Sequence, residues 1–254
     1  MLEQFMWKLS NGSMPSTIVV DNILPLSEAM ANIGLRPPRP TIAVVGGVNI
    51  DDTYVSKLQV FFCNVLAPLA QSCQAVVVDG GTNFGIMKFM GQARASIDGT
   101  FPLVGVMPAE KILEPGRMPN LELETNHTHF VLSPGNEWGD ESPWLARVVS
   151  TISSDAPSLT ILANGGDIAW LDVAASIAQG RKVVIMAGTG RTADKLAEDV
   201  RDCNEGQRLT KAFATYGLLH VLDIDSGEQS LRQSLLSLLH PKLHVPHSVI
   251  PMGR

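Results

Sequence analysis

The chain has 254 residues, 45% of them hydrophobic, with a net charge of -6 and a pI near 5.5. That length suits one large domain or two small ones, and the apolar content suffices for a substantial core. The acidic balance argues against a nucleic-acid polymer as partner, which would call for a basic stripe. Three unclustered cysteines, Cys63, Cys73 and Cys203, fit a reducing compartment. No basic-then-apolar leader opens MLEQFMWKLSNGSMPS, so a cytoplasmic location is expected.

Taken in chain order, residues 1–40 end in RPPRP and read as a peripheral strand and helix joined by a stiff linker. Residues 41–239 read as the main domain and 240–254 as a tail without a packing pattern. Short β-branched runs recur through the main domain: TIAVVGGV (41–48), AVVVDGG (75–81), PLVGVMP (102–108), HFVLSPG (129–135), SLTILANGG (158–166), KVVIMAG (182–188) and LLHVLDID (218–225). Continuous apolar runs of this length suit parallel strands covered on both faces. Leu58 to Val78 carries no charge and is long enough to span a bilayer. Its Gln, Asn and Ser residues and Pro68 favour a buried helix followed by a strand, so no membrane partner is expected. Asp51 is placed to cap one helix, Pro143 lies in the first turn of another, and Gly180 marks a C-terminal stop. Residues 107–126, with three prolines and a glycine, read as an excursion over the sheet. The βαβ alternation predicts an α/β fold: a Rossmann-like, doubly wound, mostly parallel sheet with helices on both faces.

In such a sheet ligands sit beyond the carboxyl ends of the strands. Four glycine turns fall there: Gly46-Gly47; Gly80, Gly81 and Thr82, followed by Asn83 and Gly85; Asn164-Gly165-Gly166; and Gly188-Thr189-Gly190. Glycine lets a ligand approach the main chain, and a turn that opens a helix favours phosphate. AGTGRTAD (187–194) follows a strand and matches GxGxxA, a variant of the dinucleotide fingerprint. The ribose acid that this fingerprint wants about 20 residues on is missing, because the next strand ends only at Asp223 and Asp225. An NAD(P) oxidoreductase is thereby disfavoured. Arg191 and Thr192 remain able to hold phosphate oxygens, the other reading being a plain turn with Arg191 in solvent.

NHTHF (126–130) puts His127 and His129 near Glu122 and Glu124, but nothing fixes a third ligand, and histidines in turns also bond to the backbone; no metal is assigned. In WGDESPW (138–144) the acids read either as helix capping or, with Trp138 stacking on a base, as Glu141 or its neighbour receiving ribose hydroxyls. The tail histidines His240, His244 and His247 read as solvated.

Together, DGGTNFGIMKFMG, PLVGVMP, NHTHFVL, WGDE, LANGGD and AGTGRTAD, in this order, resemble the SLOG (LSDAT) superfamily, specifically prokaryotic relatives of the N-terminal cytosolic region of TRPM channels. The likeness covers about residues 17 to 225. It implies a Rossmann-like domain that binds a small-molecule nucleotide such as ADP-ribose or an NAD-derived molecule. Carried over, Gly80, Gly81, Thr82 and Gly85 line the phosphate side, and Gly188, Thr189, Gly190, Arg191 and Thr192 close the site. His127, Trp138, Glu141 and Asn164 are further candidates for contacts with the ligand. The chain is also similar, more distantly, to the LOG (Lonely Guy) phosphoribohydrolases. Their PGGxGTxxE turn carries a catalytic glutamate, where this chain has AGTGRTAD with Asp194 and lacks their arginine-bearing helix. The resemblance therefore implies a nucleotide sensor acting through an effector partner or homo-oligomer. The alternative is an N-glycosidase or nucleotide-sugar hydrolase with Asp194 or Glu141 as acid/base.

Overall fold

The computed structural model describes residues 4–6, 8–23, 25–113, 123–202 and 217–239. Part of the 107–126 excursion, Glu122, Cys203 and the tail with its histidines lie outside the described residues. The strands are β1 (Gln4–Met6), β2 (Ser16–Val19), β3 (Thr41–Gly46), β4 (Val76–Asp79), β5 (Leu103–Pro108), β6 (His129–Ser133), β7 (Ser158–Ala163), β8 (Lys182–Ala187) and β9 (Leu219–Asp223). They form one sheet in the order β1-β2-β6-β5-β4-β3-β7-β8-β9. All neighbours run parallel except the antiparallel pair β1–β2. The fold is therefore the α/β, doubly wound, mostly parallel sheet that the alternation predicts. The first forty residues add β2 to the sheet beside β6, with Ser16 opposite His129.

Two apolar layers account for the continuous strand runs. On one face α1 (Leu26–Asn32), α6 (Ser142–Ser153), α7 (Asp167–Ala178) and α8 (Arg191–Asp202) pack through Met30, Val148, Val173 and Leu196 onto Val45, Val78 and Ile185. On the other, α2 (Asp52–Val60), α3 (Ala67–Ser72), α4 (Gly85–Ser96) and α9 (Glu228–Leu239) bury Leu58, Leu69, Met90 and Leu235 against Val44, Val77 and Ile161. The short α5 (Ala109–Leu113) follows β5. Strands covered on both faces cannot alternate apolar with polar, which is why they read as unbroken Val/Ile/Leu runs.

Local signals act as their chemistry requires. The Asp51 side chain accepts from the Thr53 N–H at the start of α2. Between α2 and α3, residues Phe61–Leu66 widen into a π-helical turn. Pro68, which follows it, has no N–H to offer the Asn64 carbonyl, and Arg232 of α9 donates to that oxygen instead at 2.9 Å. Residues 58–78 are thus two short helices, the π turn and β4, and among the described residues no helix is long and apolar enough to cross a membrane.

Candidate functional site

From β3 the chain winds outward through β4, β5 and β6, then returns to β7 on the other side of β3 and winds outward again. The crevice between the ends of β3 and β7 is the topological switch point, where two loops diverge and leave space. A cavity of about 520 Å³ opens there. Its rim is main chain at Gly46, Gly80 and Gly166. Its walls are largely apolar, with Val48, Phe84, Ile86, Met87, Trp138, Leu145 and Ile168. Its polar groups are Asn49, Thr82, Glu141, Asp167, Asp172 and Arg191.

The glycine turns are not equivalent. Gly85, at φ +49°, opens α4 so close to the preceding loop that a Cβ would fall 1.9 Å from the Gly47 carbonyl oxygen. That same oxygen accepts from Ile86 N–H at 3.1 Å. Gly81 packs against the Gly105 backbone and the Phe130 ring. Both positions need glycine for the protein's own close packing, while Gly80 and Thr82 face the cleft. Gly47 lies behind the rim against Asn164 Oδ1, and Asn83 is half-buried outside the lining.

The AGTGRTAD turn carries an occupant of its own. Asp194, one turn into α8, folds back so that Oδ1 accepts from Gly188 N–H at 2.6 Å and Thr189 N–H at 3.2 Å, and Oδ2 from Gly190 N–H at 2.9 Å. Three amides that could have held a phosphate already hold a carboxylate. Neither Asp194 nor Gly188, Thr189 and Gly190 lines the cleft. Asn164 ties this turn to the β7 turn: its N–H donates to Thr189 Oγ1 at 2.8 Å and its side-chain amide to the Thr189 carbonyl at 2.7 Å. Thr192 donates to the Gly166 carbonyl, and Gly165 packs against Thr192. Arg191 differs from the rest. It is exposed, lines the cleft beside Gly166 and has φ +55°, a left-handed conformation that costs a side-chain-bearing residue about 1–3 kcal/mol.

The two histidines separate. His127 is buried outside the cleft, with Nε2 2.8 Å from Asp79 Oδ1 and Nδ1 2.8 Å from Glu124 Oε2. Burial alone would lower its pKa. The charge and hydrogen bond of Asp79, then those of Glu124, outweigh burial and hold it up at about 9. The imidazolium therefore clamps two buried carboxylates, and Asp79 Oδ1 also accepts from Gly81 N–H at 2.7 Å, fixing the turn beneath the rim. His129 Nε2 donates to the Ile33 carbonyl at 3.0 Å, and burial pushes its pKa down to about 4. Among the described residues no group of three or more metal-ligating side chains forms.

WGDESPW divides between structure and cleft. Asp140 Oδ2 accepts from the Asn136 and Glu137 N–H groups, and Trp144 packs into the core. Trp138 and Glu141 line the cavity. Glu141 Oε2 accepts from Gly139 N–H at 2.7 Å, yet burial still raises its pKa. Beside it lies a residue that motif reading passes over, Asp172. Burial, reinforced by the Glu141 charge and opposed in part by the nearby Ser142 hydroxyl, raises its pKa to about 7. A signal was present in DIAWLDVAAS. Asp172 falls on the buried stripe Ala169, Asp172, Val173 and Ser176, where the helical period calls for an apolar residue. Asn49 also lines the cleft without a motif to announce it, and Phe84 and Asp167 line it from within DGGTNFGIMKFMG and LANGGD although motif reading does not single them out.

Comparison with known proteins follows the same lines. The solved structure of TM1055, a structural-genomics target, aligns over 76% of this chain and 98% of its own at a TM-score of 0.50 and 18% identity, a likeness of fold. Transient receptor potential cation channel subfamily M member 2 of Mus musculus is 26% identical over 204 aligned residues, as is its Rattus norvegicus counterpart. Each alignment covers 65% of this chain, which spans only 14% of the channel's length. Residues 39–233 match the family described as SLOG in TRPM, prokaryote, and the chain belongs to that family.

Proposed function

We propose that the chain binds a nucleotide-derived ligand of the ADP-ribose class in the switch-point cleft, as a sensor rather than a consumer of it. The observation that carries this reading is the composition of the cleft. Open main chain at Gly46, Gly80 and Gly166 meets one guanidinium, Arg191, at the N-terminus of α7, with Trp138 and Phe84 available for a base. A helix N-terminus and an arginine together suit a phosphate, and an aromatic wall suits an adenine. The strained backbone of Arg191 fits a residue held in place for a ligand. Family membership supports the nucleotide class. The channel function of the mammalian relatives belongs to proteins of which this chain matches a small part.

A hydrolase is the second reading, favoured by the buried pair Glu141 and Asp172, both raised by burial and Asp172 to about 7, where it can exchange a proton near neutral pH. Asp194 is the weaker acid/base candidate, because three backbone amides engage its carboxylate. One experiment separates the readings. The protein is incubated with AMP, ADP-ribose, NAD and cyclic ADP-ribose, the melting shift is recorded, and each mixture is chromatographed. A shift of several degrees with the ligand intact is the expected result. Free base or a cleaved diphosphate would make the protein an enzyme, and no shift with any nucleotide would refute the nucleotide reading.

A further inference from the structure

Burying a carboxyl group in an apolar wall is costly unless something pairs with it. Asp172 is 9% exposed, on a helix stripe otherwise made of Ala169, Val173 and Ser176, and its remaining exposure opens into the cleft. Among the described residues it forms no ion pair. Glu141, 7% exposed, faces the same space from the start of α6. Next to them the Ser142 hydroxyl is fully buried with no partner at hydrogen-bonding geometry. This end of the cleft therefore gathers two buried carboxyl groups, one of them held by the Gly139 N–H, and a hydroxyl without a partner, in largely apolar walls where a bond to a ligand is stronger than in water.

The spacing to the opposite end is set by α7. Arg191 lies over Gly166 at the helix N-terminus, and Asp172 stands six residues farther along. At 1.5 Å per residue that is about 9 Å along the axis. This is of the order that separates a 5′-phosphate from the ring hydroxyls of its own ribose, once the reach of both side chains is included.

We propose that Asp172 and Glu141 form the ribosyl end of the cleft, receiving the vicinal 2′ and 3′ hydroxyls of a ribose whose phosphate is held by Arg191. A diol presents two donors and can also accept. A carboxyl pair holding one proton between its members offers an ionised acceptor and an acid hydrogen, so both hydroxyls find partners. Burial raises the pKa of both acids, that of Asp172 to about 7. The cleft therefore selects ribosyl phosphates over their deoxy counterparts, a choice that phosphate and base contacts alone would not make. This inference rests on the nucleotide reading above.

The test is isothermal titration of the whole chain with AMP, 2′-deoxy-AMP, 3′-deoxy-AMP and 2′,3′-dideoxy-AMP. The wild type is expected to bind AMP at least about tenfold more tightly than the dideoxy compound, since a site built around a hydroxyl rejects the analogue lacking it. In Asp172→Asn and Glu141→Gln that preference should shrink severalfold, while dideoxy-AMP affinity changes little. Equal wild-type binding of AMP and dideoxy-AMP would overturn the inference and leave the nucleotide reading standing. Binding of none of them would overturn this inference, and with no melting shift from ADP-ribose or NAD either, the nucleotide reading as well. The wild-type series needs no variant to fold, so a destabilised Asp172→Asn would not obscure the answer.

Discussion

Replacing Asp194 by asparagine or alanine distinguishes a carboxylate that holds the fold from one that serves a ligand. Its two oxygens accept three amide hydrogen bonds, at 2.6, 2.9 and 3.2 Å, from the turn between β8 and α8. A hydrogen bond to a charged group contributes about 1.5–3 kcal/mol. The turn is half-open to solvent, so water would refill part of the loss in Asp194→Ala, and a net cost of about 2–4 kcal/mol is expected. Asp194→Asn should fare little better. One of its two terminal atoms becomes an NH2 donor and faces an amide that also donates. Urea unfolding followed by tryptophan fluorescence measures the cost, and titration with AMP or ADP-ribose measures the ligand side. The expectation is a clear stability loss with affinity changed no more than about threefold under conditions where the variant is folded. A variant as stable as the wild type, within about 0.5 kcal/mol, that lost binding or turnover would refute this reasoning and restore Asp194 to the site.

Arg191→Gly should relieve the left-handed backbone and raise stability by about 1 kcal/mol, while weakening phosphate-bearing ligands about tenfold or more; Arg191→Ala should show the weakened binding without the gain, in paired melting and titration experiments. His127→Ala should cost about 3–5 kcal/mol in urea unfolding, because Asp79 and Glu124 would remain buried without their cation. The folded pKa of His127 lies above its ordinary 6.5, so its contribution is complete below pH 6.5 and is lost as pH rises through about 9. Wild-type melting temperature should fall across that window, and a flat profile there would contradict the clamp. Asp172 also has a raised pKa but is an acid: between pH 4 and 7 the native state holds a proton that the unfolded chain has released, so stability falls as pH rises through that range. Asp172→Asn should remove that part of the slope, and an unchanged slope would show that the carboxyl is not buried as described.

The apolar runs and the glycine, proline and acidic punctuation determined the strands, the doubly wound class and several helix ends, as at Asp51, Pro143 and Gly180. These are local matters: a doubly covered strand must be apolar throughout, and a cap works on the amides one turn away. The motifs also carried the family. What each site residue does was decided only in three dimensions. AGTGRTAD reads as a phosphate turn or as a plain turn, and only the rotation of Asp194 back over three amides shows that its own acid closes it. NHTHF leaves the partners of its histidines open, and only the fold brings Asp79, 48 residues away, onto His127. Asp172 belongs to no motif, and it shares a cleft with Glu141 only because α6 and α7 pack side by side. A hydrogen-bond partner is a matter of a few tenths of an ångström, and distances of that kind between remote segments exist only once the sheet has brought their loops to one edge.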